Sequence, residues 1–424
     1  MQYKITDLFK NTFIKNVTLL VTGTFGSQAV TIFCIPFVIK LYGSEIFGAF
    51  SSFTAFAALL LPLMTFSYSF AINLAKNNSE AIKITFLSIL IAILFATTIY
   101  FLLSFFRQSF SGYSQFKDLV FLPILLLSSA IFEIFQQWIV RRKMLTAFAS
   151  SMIFTSVILN ALKILFAFLS PTLFPLIFIA IITGPFQLLA YLFFGGKLIS
   201  SFRFGEFKFY SLIDLSKKYR NFPKYRMPQL IIFSVSQNLP VILIASLINL
   251  KFAAYYSLAR MAMAVPSGFL GKSIGDIFYH RVNEDAYNNQ DIYLLIRKVT
   301  IFIAVASLIP FVLIFIFGPW IFKFILGSEW EVSGECARWL SIFYYVNLIK
   351  KPSFVSAPIL NLQKDLLINE FASTIIQLLV LFACIFLLKN LMVGIFLFSS
   401  VGTIFYIFFI FKTMTKAKHV KNIN

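Results

Sequence analysis

The amino-acid sequence predicts an all-α integral membrane protein of about twelve transmembrane helices, arranged as two six-helix bundles around a central cavity. Hydrophobic residues make up 59% of the 424 residues and charged residues only 12%, whereas soluble domains contain roughly 25% charged residues. Apolar runs of spanning length recur along the chain. Lys and Arg residues concentrate in every second connection between these runs, as in multi-pass proteins. These observations exclude a soluble multidomain protein.

Twelve apolar runs are long enough to cross a bilayer, which takes about 20 residues. They lie at about 17–40, 47–75, 83–106, 117–140, 145–169, 172–198, 226–248, 252–276, 294–318, 336–360, 366–388 and 391–412. No small-residue cleavage site follows the first run, so we expect an uncleaved first span. The connections are short, so we expect no separate extramembrane domain.

The distribution of cations predicts the orientation. With the N-terminus in the cytoplasm, most Lys and Arg residues between the spans fall on the cytoplasmic side, including Arg141, Lys218 and Lys350. The positive-inside rule then places both termini in the cytoplasm. The net charge of +20 is therefore a feature of membrane topology, and we expect no nucleic-acid partner.

The longest connection, at about 199–225, interleaves aromatic and aliphatic residues with cations in "FRFGEFKFYSLIDLSKKYRNF". Such a pattern suits an interfacial helix on an anionic membrane leaflet. A solvated linker is the alternative interpretation.

Cysteine and histidine usage indicates neither a disulfide framework nor a metal site. Cys34, Cys336 and Cys384 are widely scattered, and His280 and His419 are the only histidines. Metal sites need several such ligands at short, regular spacings. We therefore expect no cofactor, although coupling to an ion gradient remains open.

An internal repeat divides the chain. "FGAFSSFTAFAALLLP" (Phe47–Pro62) resembles "FAAYYSLARMAMAVP" (Phe252–Pro266), and each follows a span that contains Ser-Gln and then Pro. The repeat predicts an N-terminal six-helix bundle at 1–205 and a C-terminal one at 206–424. Since six spans return the chain to the same side, the halves would be related by an axis along the membrane normal. The dipeptides and prolines are Ser27-Gln28 with Pro36, and Ser236-Gln237 with Pro240.

Cations inside the predicted spans are the main candidates for substrate binding. They are Lys163 in span five, and Arg260 and Lys272 in span eight, with Arg260 at the repeat position occupied by Ala55. Such residues cost about 2.5–3.5 kcal/mol to insert and usually face a cavity or a partner. A line of cations would attract a polyanion such as a pyrophosphate. Internal pairing with Glu133, and snorkelling of Lys272, are the alternatives.

The uncharged polar residues and one acid complete the candidate site. Glu133 in span four is the clearest intramembrane acid and is the candidate for proton coupling, with structural pairing to Lys163 or Arg260 as the alternative. Several amide side chains also suit a polar cavity. They are Gln28, Gln136, Gln137, Asn160, Gln237 and Asn238.

Four stretches carry a family resemblance, in order along the chain. They are "GTFGSQAVTIFCIPFVIKLYGSEIFGAF" (Gly23–Phe50), "YRNFPKYRMPQLIIFSVSQNLPVILIASL" (Tyr219–Leu247), "YYSLARMAMAVPSGFLGKSIGDIFYHR" (Tyr255–Arg281) and "FGPWIFKFILGSEWEVSGECARWLS" (Phe317–Ser341). Their features are Leu-Tyr-Gly with Phe-Gly, Ser-Gln-Asn-Leu-Pro, Leu-Ala-Arg, and glycine–tryptophan landmarks. Together they resemble the Wzx-type polysaccharide biosynthesis proteins. These are the O-antigen and capsule flippases of the multidrug/oligosaccharidyl-lipid/polysaccharide (MOP) exporter superfamily.

The resemblance implies a function in the bacterial inner (plasma) membrane. Oligosaccharide repeat units linked to undecaprenyl pyrophosphate would move from the cytoplasmic to the periplasmic leaflet by alternating access. They would serve O-antigen, lipopolysaccharide or other surface polysaccharide synthesis. The implied partners are this lipid-linked oligosaccharide, membrane lipids and the polysaccharide polymerase machinery. Arg260, in the Leu-Ala-Arg position, matches a cation that touches the pyrophosphate. The related lipid II flippases carry arginines in their early spans, and this chain has none there.

Two other functions compete with the flippase. A drug or metabolite exporter of the same superfamily would favour acidic and aromatic cavity groups, whereas cations prevail among the charged groups here. A membrane polysaccharide polymerase or ligase would need an outer loop with catalytic residues, and the outer connections are short. We therefore predict a transporter and not an enzyme.

Overall fold

The computed structural model describes residues 12–105, 114–196, 209–264, 278, 281, 282 and 291–420, and these residues form helices with no strand among them. In the N-terminal half the helices are α1 (Thr12–Met64), α2 (Asn78–Phe105), α3 (Leu122–Arg142), α4 (Leu145–Leu169), α5 (Leu173–Phe193) and α6 (Phe209–Lys218). They continue with α7 (Met227–Leu247), α8 (250–264), α9 (Ile292–Leu326), α10 (Glu331–Ile349), α11 (Lys351–Ser356), α12 (Gln363–Leu387) and α13 (Leu391–Val420). Short 3₁₀ helices cover Tyr68–Leu74, Ser114–Phe121 and Ser328–Trp330, and a π-helix covers Phe222–Arg226.

Nine helices within the described ranges are long and apolar enough to cross a membrane. The first of them contains two predicted spans, because α1 breaks at Gly43, where φ is 75° and ψ is 169°. Glycine tolerates this positive φ at little steric cost. The tenth predicted span corresponds to α10 and α11, and the eighth begins with α8. The predicted all-α, multi-pass membrane protein is confirmed.

The second and tenth predicted spans are not continuous helices. The second was predicted over 47–75, but α1 ends at Met64 and a 3₁₀ helix follows. The tenth was predicted over 336–360, but α10 ends at Ile349 and α11 begins at Lys351, with Pro352 in its first turn. Hydropathy alone misses both breaks, because the residues around them remain apolar. After Met64, Arg141 donates to two carbonyl oxygens that the helix no longer satisfies.

The chain forms two compact units, residues 1–238 and 239–424. The N-terminal core joins the second arm of α1 to α2, α3 and α5 through Phe53, Ala92, Leu126 and Ile177. In the C-terminal unit α9 packs on α10, and a Cβ added to Gly334 would lie 2.4 Å from the Gly318 carbonyl oxygen. Small residues allow such close helix contacts in membranes. The domain boundary predicted at 205 stays a prediction.

The longest connection contains α6, which packs against the N-terminal unit. Leu212 and Leu215 are buried, whereas Lys217 and Lys218 are exposed. The Tyr68 hydroxyl donates to the carbonyl oxygen of Ser216 at 3.1 Å. The apolar face of this helix is therefore covered at least partly by protein.

Candidate functional sites

The first polar cluster joins α1 to α4. The Ser156 hydroxyl donates to the carbonyl oxygen of Ser27 at 2.7 Å, and the amide of Asn160 donates to Thr31 Oγ1 at 3.2 Å. Asn160 is buried, so its amide serves helix–helix packing. Gln28 lies on the same arm of α1 with an exposed side chain.

Lys163 lies on α4 and is partly buried. Its carbonyl oxygen accepts a hydrogen bond from the Tyr42 hydroxyl at 3.0 Å, and its ammonium interacts electrostatically with the Cys34 thiol on α1. Among the residues described by the structure, no carboxylate forms an ion pair with Lys163. The alternative pairing with Glu133 is thus not formed.

The second polar cluster surrounds Glu133 on α3. Ser69 Oγ donates to Glu133 Oε1 at 2.5 Å, and Thr65 is close to the same carboxylate. Farther along the helix, Asn73 Nδ2 donates to Gln137 Oε1 at 2.6 Å. Ser69 and Asn73 belong to the 3₁₀ helix that follows α1. Helix α3 therefore presents two polar side chains, about one turn apart, to this segment.

Arg141 holds the end of the same 3₁₀ segment. Its Nη1 donates to the carbonyl oxygens of Ile72 at 2.8 Å and Ala75 at 2.9 Å. A guanidinium suits this role because it carries five donors in a fixed fork. The sequence interpretation treated Arg141 only as a cytoplasmic cation. The spacing of four residues from Glu133 to Gln137 to Arg141 was the signal that these side chains share one helix face.

A third set of contacts ties α6 to the beginning of α2. Glu80 Oε1 accepts hydrogen bonds from the Lys218 ammonium and, at 3.2 Å, from the Tyr219 hydroxyl. Asn77 Oδ1 accepts from the Glu80 backbone N–H at 2.8 Å, which caps α2. The hydrogen bond to Glu80 raises the pKa of the Lys218 ammonium.

Arg260 lies on α8 in the C-terminal unit and is partly exposed. Its guanidinium interacts electrostatically with the hydroxyls of Tyr256, on the same helix, and Tyr344, on α10. Both tyrosines are buried. Phenol groups from two helices therefore lie in the surroundings of this cation.

A buried ion pair continues this cluster. Lys350, only 4% exposed, donates through Nζ to Glu370 Oε1 at 2.5 Å and lies 3.3 Å from the ring centre of Tyr406. The Tyr406 hydroxyl donates to Glu370 Oε2 at 3.4 Å. Tyr344 lies near Tyr406. A series of ionisable groups thus extends from Arg260 to Lys350.

The sequence interpretation missed this ion pair. It counted Lys350 only as a cytoplasmic cation and did not foresee that the side chain is buried in the C-terminal unit. It did not single out Glu370 either. The available signal was a carboxylate a few residues inside the predicted span at 366–388, since such a group needs a partner.

The remaining predicted site residues lie on α7 or outside the described ranges. Asn238 Nδ2 donates to the carbonyl oxygen of Ser234 at 3.0 Å, and the Ser234 hydroxyl donates to the Ala58 carbonyl oxygen at 2.6 Å. Gln237 is partly buried on the same helix. Lys272 falls outside the described residues. Of the predicted site residues, Gln28 and Lys163 lie on the neighbouring helices α1 and α4, whereas Glu133 belongs to the separate cluster on α3.

The described part of the chain contains no group of three or more His, Cys, Asp or Glu side chains placed to hold a metal ion. Cys34, Cys336 and Cys384 are free thiols.

Comparison with solved structures identifies the fold. The lipid II flippase MurJ, in an inward closed conformation, matches with a TM-score of 0.66 at 15% identity, covering 96% of this chain and 91% of that one. An inward-facing multidrug resistance MATE family transporter of the MOP superfamily gives 0.63 at 14% identity, covering 95% and 94%. The bent form of the Vibrio cholerae MATE transporter VcmN gives 0.56 at 17% identity, covering 99% and 98%. No family model and no curated protein matches the sequence. The chain therefore has the fold of these transporters over nearly its whole length.

Proposed function

We propose that this protein is a flippase that moves undecaprenyl-pyrophosphate-linked oligosaccharide repeat units from the cytoplasmic to the periplasmic leaflet by alternating access. Its site would be the bacterial inner membrane, with the polysaccharide polymerase machinery as the consumer of its product. Support comes from a fold shared with a lipid II flippase. The residues supply a second line of support, which concerns the chemistry of the substrate.

The observation that carries the proposal is the position of Arg260. It lies about 15 Å along α8 from the helix start at 250, about half the thickness of a bilayer core. Charged side chains at this depth usually face a cavity or a polar partner, and the phenols of Tyr256 and Tyr344 lie in its surroundings. Arginine binds phosphate oxygens through two parallel hydrogen bonds. A pyrophosphate is therefore a suitable ligand.

Lys163 supports an anionic substrate independently. It lies about 9 Å along α4 from the helix end at Leu169, and the described residues provide it with no carboxylate partner. Under the predicted topology this end faces the periplasm. We assign Lys163 a second contact with the anionic headgroup, on the release side of α4. Gln28 and Gln237, and Lys272 outside the described residues, remain proposed cavity residues.

The test combines a clean deletion with variants at Arg260. In a strain without redundant flippases, deletion should leave lipid-linked oligosaccharide on the cytoplasmic leaflet while its synthesis continues. Arg260→Ala should reduce the surface glycan about tenfold or more, since a hydrogen bond to a charged group contributes roughly 1.5–3 kcal/mol. Arg260→Lys, which keeps the charge, should retain part of the activity.

Protein abundance and thermal stability of each variant serve as controls for folding. Normal surface glycan in the deletion strain would overturn the flippase assignment. Normal glycan in the Arg260→Ala variant would remove this residue from the site.

A drug or metabolite exporter is the second candidate, favoured by the likeness to MATE transporters and by the acid Glu133 inside a spanning helix. Exporters of cationic compounds would use such carboxylates. Export of a cationic dye from cells that depends on Glu133, together with normal surface glycan in the deletion strain, would favour this function over the flippase.

A further inference from the structure

The helix break after α1 places polar groups of unusual geometry inside the N-terminal unit. Phe66 has φ 47° and Ser67 has φ 60°, two consecutive non-glycine residues in the left-handed region. Such a conformation is costly and persists only where the surroundings hold it. Thr65, Ser67 and Ser69 are all buried at this break. The chain therefore positions three hydroxyls within five residues.

Glu133 of α3 faces this break. Its carboxylate accepts a hydrogen bond from Ser69 at 2.5 Å, and Thr65, whose hydroxyl oxygen lies 3.3 Å from that of Ser69, is close to the same carboxylate. The Ser67 hydroxyl is buried with no hydrogen-bond partner among the described residues. A buried polar atom without a partner in a native structure calls for an explanation, such as an ion or a water molecule.

The charge of Glu133 has no cationic partner among the described side chains. No ion pair to it is formed, and three charged groups on the elements around it bind elsewhere. Arg141, on the same helix, binds the carbonyl oxygens of Ile72 and Ala75, and Glu80 binds Lys218 of α6. Arg226 lies over the ring of Phe70.

An uncompensated carboxylate inside a spanning helix is costly. A proton or a small cation would relieve that cost. The donor set here consists of oxygens alone, which suits a hard cation. Broken helices whose backbone groups contact coupling ions are a recurrent device of transporters.

We propose that Glu133, Thr65 and Ser69 form a binding site for a monovalent cation, either H⁺ or Na⁺. A proton would bind the carboxylate of Glu133 and remove its buried negative charge. A sodium ion would draw the same oxygens together. The use of this site to drive transport depends on the proposed function, whereas cation binding itself does not.

Residues 65–75 form a segment that we call the strap. A cation bound at Glu133 would change the contacts between α3 and this strap. Side chains of α3 fix the strap at three levels, through Glu133, Gln137 and Arg141. Of these three contacts, only the one made by Glu133 would change when a cation binds. The contacts of Gln137 and Arg141 stay in place, so the strap should loosen or tighten at Thr65–Ser69 first.

Hydrogen exchange of the purified full-length protein in nanodiscs tests the site without any transport substrate. Exchange of peptides covering residues 65–75 is measured from acidic to alkaline pH, with sodium chloride and with potassium chloride of equal ionic strength. The response is the protection factor, the intrinsic exchange rate at each pH divided by the measured rate, and in the wild type it should change about tenfold between the empty and the occupied state, the size of an ordinary coupling. Glu133→Gln, which keeps the shape but cannot ionise, should abolish that response.

Two further variants complete the design. Glu45→Gln removes an exposed carboxyl of the same unit and should respond like the wild type. Glu133→Asp retains the charge, so it should shift the midpoint of the response without abolishing it. It also serves as the informative variant if Glu133→Gln fails to fold.

A change in protection with pH alone identifies a proton site, and a change with sodium but not with potassium identifies a sodium site. Absence of any response in the wild type, or an unchanged response in Glu133→Gln, would overturn the proposal. Neither of these results bears on whether the protein moves lipid-linked oligosaccharide, so the two proposals fail separately.

Discussion

At the residue scale, Lys350 illustrates how this protein accommodates a buried charge. The ammonium pairs with the carboxylate of Glu370 and lies against the ring face of Tyr406. An ion pair and a cation–π contact thus share one cation. Because the pair neutralises itself, Lys350 is not a candidate for binding a pyrophosphate, whereas Lys163 stays a proposed one.

We expect Lys350→Ala to lower the free energy of unfolding by about 1–3 kcal/mol, since it leaves the partly buried carboxylate of Glu370 without its charged partner. Thermal unfolding of the purified protein in detergent measures the change. Lys350→Ala combined with Glu370→Gln should recover much of the loss. Lys364→Ala, at an exposed position of the same unit, is the control and should have little effect. Equal stability of Lys350→Ala and Lys364→Ala would contradict the buried pair.

At the scale of helices, breaks and close contacts shape the two units. Helix α1 breaks at Gly43 and ends at Met64, and the chain turns again at Lys350. Each break exposes backbone groups that lipid cannot satisfy. After Met64, Arg141 supplies donors for two carbonyl oxygens. Between the breaks, glycines let neighbouring backbones approach closely.

We expect Gly334→Ala to destabilise the α9–α10 pair by about 1–3 kcal/mol, the usual effect of overpacking. The added Cβ would meet backbone atoms of Gly318 and Pro319 at 2.4–2.6 Å, which cannot move aside as a side chain can. Gly394→Ala is a matched control, because its Cβ would meet side-chain atoms at 3.2 Å. Thermal unfolding of both variants decides the question. A larger loss in the control would refute the close helix contact.

At the scale of the whole molecule, the two units carry different chemistry. The N-terminal unit holds a carboxylate among hydroxyls, together with the cation Lys163. The C-terminal unit holds a series of cations, tyrosines and one carboxylate, from Arg260 to Lys350. Because each cluster lies within its own unit, the proposed cation binding at Glu133 and the proposed substrate binding at Arg260 are chemically separate tasks. Transport would have to link them.

The orientation of the whole chain is a separate prediction, drawn from the bias of Lys and Arg. Lys217→Cys and Lys389→Cys place thiols at exposed positions that should face the cytoplasm and the periplasm, respectively. A membrane-impermeant maleimide should label Lys389→Cys in spheroplasts and Lys217→Cys only in inverted vesicles. Labelling of the wild type measures the background reaction of the maleimide with Cys34, Cys336 and Cys384. The reverse labelling pattern would invert the topology.

The sequence by itself determined that this is a helical, multi-pass membrane protein, because long apolar runs have no other stable form in lipid. It also identified Glu133, Arg260 and Lys163, since charged residues stand out within such runs. Only the tertiary structure decided their neighbours. That Glu133 faces the hydroxyls of a broken helix, and that Lys350 pairs with Glu370, depends on contacts between residues far apart in the chain. Hydropathy and periodicity record the environment of each segment separately, and they carry no information about which side chains meet.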